Sequence, residues 1–359
     1  MYELSSALDT VRVTEASSRA FLETFFAALG ANDDEARINA DGIVTAAMWW
    51  HPGQGQGLEK MPRYARRLQT GGIVGDAPMS WVKDRASTAL LDAAGGLGYV
   101  SAHRAMAKAI EKAKSSGIAM VAVQHSNHFG IAGYHAKHAA NEGLIGIAMT
   151  NAGAEIAPWG ASRPVLGTNP WGLAVPRPAH APIVLDMALS QSGKGMMRWF
   201  RREGLKIPDT WALTPDGCRT TDPAEADQGP LLPIGDYKGY GLSLITDVLT
   251  GVLSGSLFGM DVFQDDQNFD VSHTMIAINI EAFMDRPTFD ERLERLIAQV
   301  ISAPPIDAQQ PVQLPGEAEQ KRAAERLREG IPLHRDLFDD LKKLAREIDV
   351  PFLLESSNS

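Results

Sequence analysis

Residues 117–150 decide the fold: Gly117-Ile118-Ala119-Met120-Val121-Ala122-Val123-Gln124-His125-Ser126-Asn127-His128-Phe129-Gly130, then Ile131-Ala132-Gly133-Tyr134-His135-Ala136-Lys137-His138, then Asn141-Glu142-Gly143-Leu144-Ile145-Gly146-Ile147-Ala148-Met149-Thr150. The two apolar runs read as buried strands, and a polar turn and a short helix separate them. The pattern predicts a βαβ unit within an α/β fold. Ligands of open α/β sheets bind outside the carboxyl ends of strands. His128 stands where a strand hands over to a helix, so this window is the strongest pointer to function.

Four of the nine histidines fall in it. A zinc site needs three or four converging ligands, commonly with Cys or acids among them. His125 belongs to the strand-to-turn side, whereas His135 and His138 fall on the helix. The spacing therefore predicts no metal site, with His135 and His138 as surface, capping or packing residues. His128 differs. Ser126 and Asn127 are good N-cap types, which would place its ring near free N–H groups and the positive helix end. That field favours a neutral imidazole able to exchange a proton with a bound hydroxyl or carbonyl.

The composition is that of a soluble globular enzyme: 359 residues, 44% hydrophobic and 22% charged. A net charge of −10 with no Lys/Arg block argues against a nucleic-acid surface. The single cysteine, Cys218, excludes an intramolecular disulfide. The Met1–Ser6 stretch lacks the pattern of a signal peptide. Residues 242–260 are interrupted by Asp247 and by polar residues, which argues against a membrane span. These features predict a cytoplasmic protein.

Outward from the central window, Thr14 and Asn32 or Asp33 cap two amphipathic helices, and Gly30 stops the first. A Gly/Gln loop runs from Trp49 to Leu58, and Pro62 starts a third helix. Ala89–Asp92 is a short strand, followed by a helix over 101–115. Pro182–Asp186 is a strand ending in an acid. Residues 239–254 form a helix with Leu242, Ile245, Leu249 and Val252 on one face. A further strand covers 274–280. A Pro/Gln-rich connection, 303–315, leads to two charged helices, and the last residues, 355–359, read as disordered. The division expected is a helical domain of 1–80 plus 303–359 around an α/β region, 81–302.

No G-x-G-x-x-G links a strand to a helix, so the usual dinucleotide fingerprint is missing. Lys238, just before an apolar helix, could hold a phosphate jointly with the helix N-terminus, or be a solvated loop lysine. Asp186 could bond a ribose or cap a helix.

Ordered motifs across residues 14–353 then point one way. They include Leu90-Leu91-Asp92, Gly96-Leu97-Gly98, Ser126-Asn127-His128-Phe129-Gly130, Thr150-Asn151, Pro158-Trp159-Gly160 and Gly167-Thr168-Asn169-Pro170. They continue through Asp186-Met187-Ala188, Tyr237-Lys238-Gly239-Tyr240-Gly241, Pro315-Gly316-Glu317 and Gly330-Ile331-Pro332-Leu333. The chain resembles the type 2 malate/L-lactate dehydrogenase family, with sulfolactate and ureidoglycolate dehydrogenases and Δ1-piperideine-2-carboxylate reductase among its members. The resemblance implies a non-Rossmann α/β fold, usually a homodimer, binding NAD or NADP. It implies hydride transfer between nicotinamide and C2 of a small 2-hydroxy acid, 2-oxo acid or cyclic 2-imino acid. It makes His128 an acid/base candidate. It puts Ser126, Asn127, His128, Asp186, Met187, Ala188, Lys238, Pro315, Gly316 and Glu317 on cofactor segments, and Thr168 and Asn169 near substrate.

One departure stands out. Relatives carry Ser-His-Gly, with the histidine as proton donor, followed by an arginine for the substrate carboxylate. Here the segment reads His51-Pro52-Gly53-Gln54-Gly55-Gln56-Gly57-Leu58-Glu59-Lys60. Gln54 or Gln56 takes the histidine's place, depending on alignment, and Lys60 is the nearest cation to the lost arginine. Glutamine does not titrate. His51 or His128 then takes over proton transfer, or the substrate is an imine that arrives protonated, or the chain binds a nucleotide or partner without turnover.

Overall fold

The computed structural model describes residues 9–265 and 269–355. The expectations for Met1–Ser6 and for 356–359 lie outside them. The chain opens with β1 (Thr10–Val13), α1 (Glu15–Ala28), α2 (Asp33–Trp49) and α3 (Met61–Gln69). The expected caps form: Thr14 Oγ1 accepts from Ser17 N–H at 3.1 Å, and Asn32 Oδ1 from Glu35 N–H at 3.0 Å. The Gly/Gln loop folds into two short 3₁₀ turns, Pro52–Gln54 and Leu58–Lys60.

The sheet region contains β2 (Ser80–Asp84), β3 (Thr88–Asp92), α4 (Gly98–Ser116), β4 (Ile118–Ser126), α5 (Ala132–Asn141), β5 (Ile145–Thr150), β6 (Trp171–Val175) and β7 (Ile183–Met187). It continues with α6 (Lys194–Arg202), α7 (Pro223–Gln228), α8 (Tyr237–Asp247), β8 (Val271–Ile278) and α9 (Arg286–Ile301). The chain closes with α10 (Glu317–Glu329), β9 (Ile331–His334) and α11 (Arg335–Glu347).

Seven strands form one mixed sheet in the order β2-β3-β4-β8-β5-β6-β7. The βαβ unit expected from residues 117–150 has the right elements but not adjacent strands. β8 lies between β4 and β5, antiparallel to both, so Met275 faces Val121 on one side and Ala148 on the other. The true adjacent unit is β3-α4-β4, the one parallel pair. An apolar strand more than 100 residues downstream outcompetes the local pairing, and no local pattern reports that. The largely antiparallel sheet accounts for the absent Rossmann fingerprint.

A continuous apolar core runs from Phe21, Phe25 and Ile43 through α4 to Leu91, Val121 and Val123. A second, smaller core gathers Ile156, Met197, Trp199, Phe200 and Leu231. The chain ends meet: β1 pairs antiparallel with β9, from Thr10↔His334 to Val13↔Ile331. From α10, Arg326 donates to the Ala47 and Trp50 carbonyls, and Arg322 to Trp49. Cationic donors thus satisfy carbonyls at the C-terminal end of α2, where the helix dipole favours them.

α8 is built inside out. Ser243, Thr246 and Asp247 are buried, whereas the apolar face seen in the sequence is exposed at Ile245, by 51%, and at Val252, by 51%, the latter in a π-helical turn, Val248–Val252. Two of these buried polar groups have close partners: Ser243 Oγ donates to Gly167 O (2.9 Å), and Thr246 Oγ1 accepts from the Trp171 indole (2.7 Å). No helix among the described residues is long and apolar enough to cross a membrane.

Arg326→Met leaves the Ala47 and Trp50 carbonyls buried without a donor. The expected cost is about 2–4 kcal/mol, read as a lower urea midpoint at unchanged m-value. An unaltered midpoint would show that water replaces the guanidinium.

Candidate active site

β4 ends at Ser126, and α5 begins only at Ala132. The intervening turn holds the central residues, but not as helix caps. Asn127 Nδ2 donates to the Gly95 and Gly96 carbonyls at 2.8 and 3.0 Å, locking the turn onto the loop before α4. Ser126 Oγ meets Ser101 Oγ at 2.7 Å and His273 Nε2 at 2.9 Å. The α5 N-cap position is Ile131, with no side-chain bond. The capping geometry expected for Ser126 and Asn127 is therefore replaced by tertiary anchoring, because the chain runs five residues further before turning helical.

His128 emerges from this anchored turn. Its Nδ1 lies 2.9 Å from the Tyr64 hydroxyl, which also lies 3.3 Å from the His128 carbonyl. The phenol thus bridges the ring and the carbonyl of the same residue and fixes the orientation of the imidazole. Burial holds His128 well below the ordinary histidine range, reinforced by the positive charges of Lys60 and Arg63. The imidazole is thus neutral, held there by burial and cations rather than by a helix end. Neutral imidazole polarises a carbonyl by hydrogen bonding.

Lys60 and Tyr64 stand one turn apart at the start of α3, so both address His128. Burial, together with Arg63, draws the Lys60 ammonium down to about 8, with Glu155 opposing. Glu155 is itself raised by burial despite Lys194, Lys60 and Arg198 around it.

His51 lies elsewhere. Its Nδ1 accepts from Gly53 N–H at 3.0 Å, and its ring meets Trp199 edge-on at 4.7 Å. Its surroundings are Arg326, Arg322 and Arg202, which reinforce burial in lowering it to about 4. Gln56 shares a small cavity with His51, Glu59 and Arg326, and its Nε2 donates to Gln54 O at 3.3 Å. Gln54 faces Gly193.

The other residues named from the sequence gather in two places. Leu189 N–H donates to Thr168 O at 2.8 Å and Leu189 O accepts from Ile234 N–H at 2.9 Å. These bonds bring the Thr168, Met187-Ala188 and Lys238 segments side by side. Asn169 is fully buried, its amide joining Ala152 N–H and Ser243 O, so its part is to shape the site. Lys238 is exposed in the first turn of α8. A second group, Asp186, Pro315 and Gly316, lines a cleft of about 630 Å³ with Trp49, Lys137 and Glu319. Burial raises Asp186 to about 7, against the pull of the Gly133 amide. Glu317 is engaged in the wall, accepting from Leu314 N–H at 3.0 Å.

The four histidines of the central window go to separate places. His125 meets Asp92 at 3.1 Å on the surface. His135 is fully buried and bonds Phe129 O at 2.7 Å, and His138 packs on His103 and Tyr134. No group of three metal-ligating side chains occurs among the described residues. Sequence reasoning missed Tyr64, Glu155 and His273. For His273 a signal existed: Ser272-His273-Thr274 is a polar triplet beside an apolar run, and the expected strand began at Thr274, three residues after the observed start at Val271.

The site thus offers a neutral histidine held by Tyr64 near the cations Lys60 and Arg63, and a separate cleft lined by Asp186. The chain belongs to the malate/L-lactate dehydrogenase family, whose model matches residues 13–342. It is 36% identical over 349 residues to a malate dehydrogenase of Pyrococcus abyssi, covering 95% of this chain and 96% of that one. It is 34% identical to a (2R)-3-sulfolactate dehydrogenase (NADP(+)) of Chromohalobacter salexigens, covering 95% and 98%. Solved malate dehydrogenase from Entamoeba histolytica superposes with a TM-score of 0.90 at 29% identity, covering 95% and 99%. Δ1-Piperideine-2-carboxylate reductase from Pseudomonas syringae gives 0.82 at 26% identity, covering 93% and 99%.

Proposed function

We propose that this chain is an NAD(P)-dependent oxidoreductase acting at C2 of a small 2-hydroxy acid, 2-oxo acid or cyclic 2-imino acid. The observation that carries the reading is the Tyr64–His128–Lys60 constellation on the family's frame. The lysine, with Arg63 beside it, favours a carboxylate. The neutral His128 imidazole, oriented by Tyr64, is placed to hydrogen-bond the C2 substituent.

The residues present suit NAD(P)H. The buried Asp186 Oδ2 and Ser190 Oγ, which flank Met187 and Ala188, have no protein partner. Gly316, at φ +93°, lets that turn approach Val184, whose carbonyl a Cβ would meet at 3.0 Å. Asp186, Met187, Ala188, Pro315 and Gly316 would hold the cofactor, with Ser126, Asn127 and Glu317 shaping its walls and Lys238 reaching a phosphate. When bound, the cofactor supplies or takes the hydride. The described parts of 1–80 and 303–359 act as the helical wall against the α/β region.

We further propose a cytoplasmic homodimer. Burying Ile245, Val248, Val252 and Leu253 against a second copy would remove a contiguous apolar face from water. Ile245→Glu with Val252→Glu is expected to give monomers in sedimentation velocity. A parent chain that is itself monomeric at micromolar concentration contradicts the interface.

The activity is tested with a panel of 2-oxo and cyclic 2-imino acids and both reduced cofactors, read at the nicotinamide absorbance. His128→Ala is expected to lower kcat/KM by about 10²–10⁴-fold, His51→Ala by less than about tenfold. The reverse order would move the chemistry to the Gly/Gln loop. Cofactor binding without turnover anywhere on the panel would leave a binding protein.

A further inference from the structure

His128, Tyr64 and Lys60 are not among the residues that line the cleft of about 630 Å³. The reacting end of a dinucleotide belongs beside His128, so the cleft is left for the other end, the adenosine. Its size falls in the range of about 300–1,000 Å³ usual for small-molecule pockets. Val184, Leu314 and Pro315 give it apolar walls suited to a flat base. Gly316 keeps the α10 turn close to Val184, which closes the cleft on that side.

The charges in the cleft set which adenosine it takes. Two carboxylates line it, Asp186 at the carboxyl end of β7 and Glu319 in the first turn of α10. α5 packs its backbone directly on the first of them: a Cβ at Gly133 would lie 2.8 Å from Asp186 Cβ. Burial raises Asp186, and the charge of Glu319 adds to it, as expected of two acids sharing one space.

The start of a helix ordinarily draws phosphate to its free N–H groups. At α10 that end already carries Glu317 and Glu319, and Glu317 folds back to accept from Leu314 N–H at 3.0 Å. Cations near these acids are engaged elsewhere. Lys137, the one cation among the described lining residues, holds its ammonium over the Trp49 ring, 5.2 Å from the centroid. Arg322 and Arg326, further along α10, donate to carbonyls at the end of α2.

We propose that the cleft takes the adenosine ribose of the cofactor as a free 2′,3′-diol, and that Asp186 and Glu319 make the chain select NADH over NADPH. This rests on the oxidoreductase reading above. A carboxylate at the end of a strand accepts from ribose hydroxyls. A 2′-phosphate in the same place brings a further charge of about −1.5 to −2 near neutral pH. It meets two carboxylates in a half-buried cleft, where facing like charges lower affinity. Asp186 thus both receives the diol and repels the phosphate, whereas Glu319 acts on the phosphate alone.

Binding, rather than turnover, reads the preference. NADH and NADPH are titrated into the full chain by isothermal calorimetry. 5′-AMP and adenosine 2′,5′-bisphosphate serve as competitors that carry the adenosine end alone. The parent chain is expected to bind NADH at least about tenfold tighter than NADPH. 5′-AMP is expected to displace NADH at lower concentration than the bisphosphate does. Glu319→Gln is expected to narrow the ratio at least about threefold, chiefly by tightening NADPH. Asp186→Asn is expected to weaken NADH by about tenfold, through loss of a hydrogen bond to a charged acceptor. An unchanged thermal midpoint of each ligand-free variant separates lost binding from lost folding.

Equal or tighter binding of NADPH by the parent chain overturns the proposal, as does a ratio that survives both substitutions. NADPH binding weakened selectively in Lys137→Met assigns that lysine to a 2′-phosphate and overturns it too. NADH preference without turnover anywhere on the panel removes the oxidoreductase reading and leaves the selectivity standing. No binding of either cofactor removes both.

Discussion

The buried imidazole of His273 is the interaction on which the site depends. It stands on β8 between the ends of β4 and β5, with Nε2 at 2.9 Å from Ser126 Oγ and Nδ1 at 2.8 Å from Thr150 Oγ1. Thr150 Oγ1 donates to the Ser272 carbonyl at 3.0 Å, so it accepts from Nδ1–H. Nε2 then accepts from Ser126, whose hydroxyl oxygen lies 2.7 Å from Ser101 Oγ. The result is a chain of hydrogen bonds that ties together four elements, α4, β4, β8 and β5, with each bond polarising the next. Burial keeps His273 neutral, down to about 3, so the chain persists across the neutral range. Phe129 stacks between His273 and His135, at 4.8 Å from each. The turn that presents His128 is therefore held at both ends and from below.

From this pin the electrostatics follow. A rigid turn brings His128 against Tyr64, where burial and the positive charges of Lys60 and Arg63 both disfavour the imidazolium. On the far side of the sheet, α8 puts its polar residues inward to hold Asn169 and Trp171. The apolar side chains it turns outward are the other consequence of that choice. Site architecture and the surface offered to a second copy are thus set by one helix.

Much of this was legible in the sequence, unevenly. Local signals worked: Thr14 and Asn32 as caps, Gly30 as a stop, and the apolar runs on either side of His128. The family frame was legible from ordered motifs, and His128 from its place after a strand. What failed was non-local. The insertion of β8 between β4 and β5 is a pairing between distant segments, which periodicity does not encode. The same limit hid His273 and Glu155, whose meaning comes from neighbours far along the chain. The α8 face misled because an amphipathic pattern says which residues share a side, not which side faces the core. His51 and the two glutamines looked like one half of a catalytic pair, but loop packing on Trp199 turns His51 and Gln56 toward α10.

The central claim is that the reacting centre lies between His128 and Lys60. A crystal structure of the chain with NADH and oxamate, a non-reacting mimic of a 2-oxo acid, tests it most directly. The account expects oxamate with its C2 amide group within hydrogen-bonding distance of His128 Nε2 and its carboxylate within reach of Lys60 Nζ. Oxamate bound against His51 and the glutamines, clear of both groups, would contradict it.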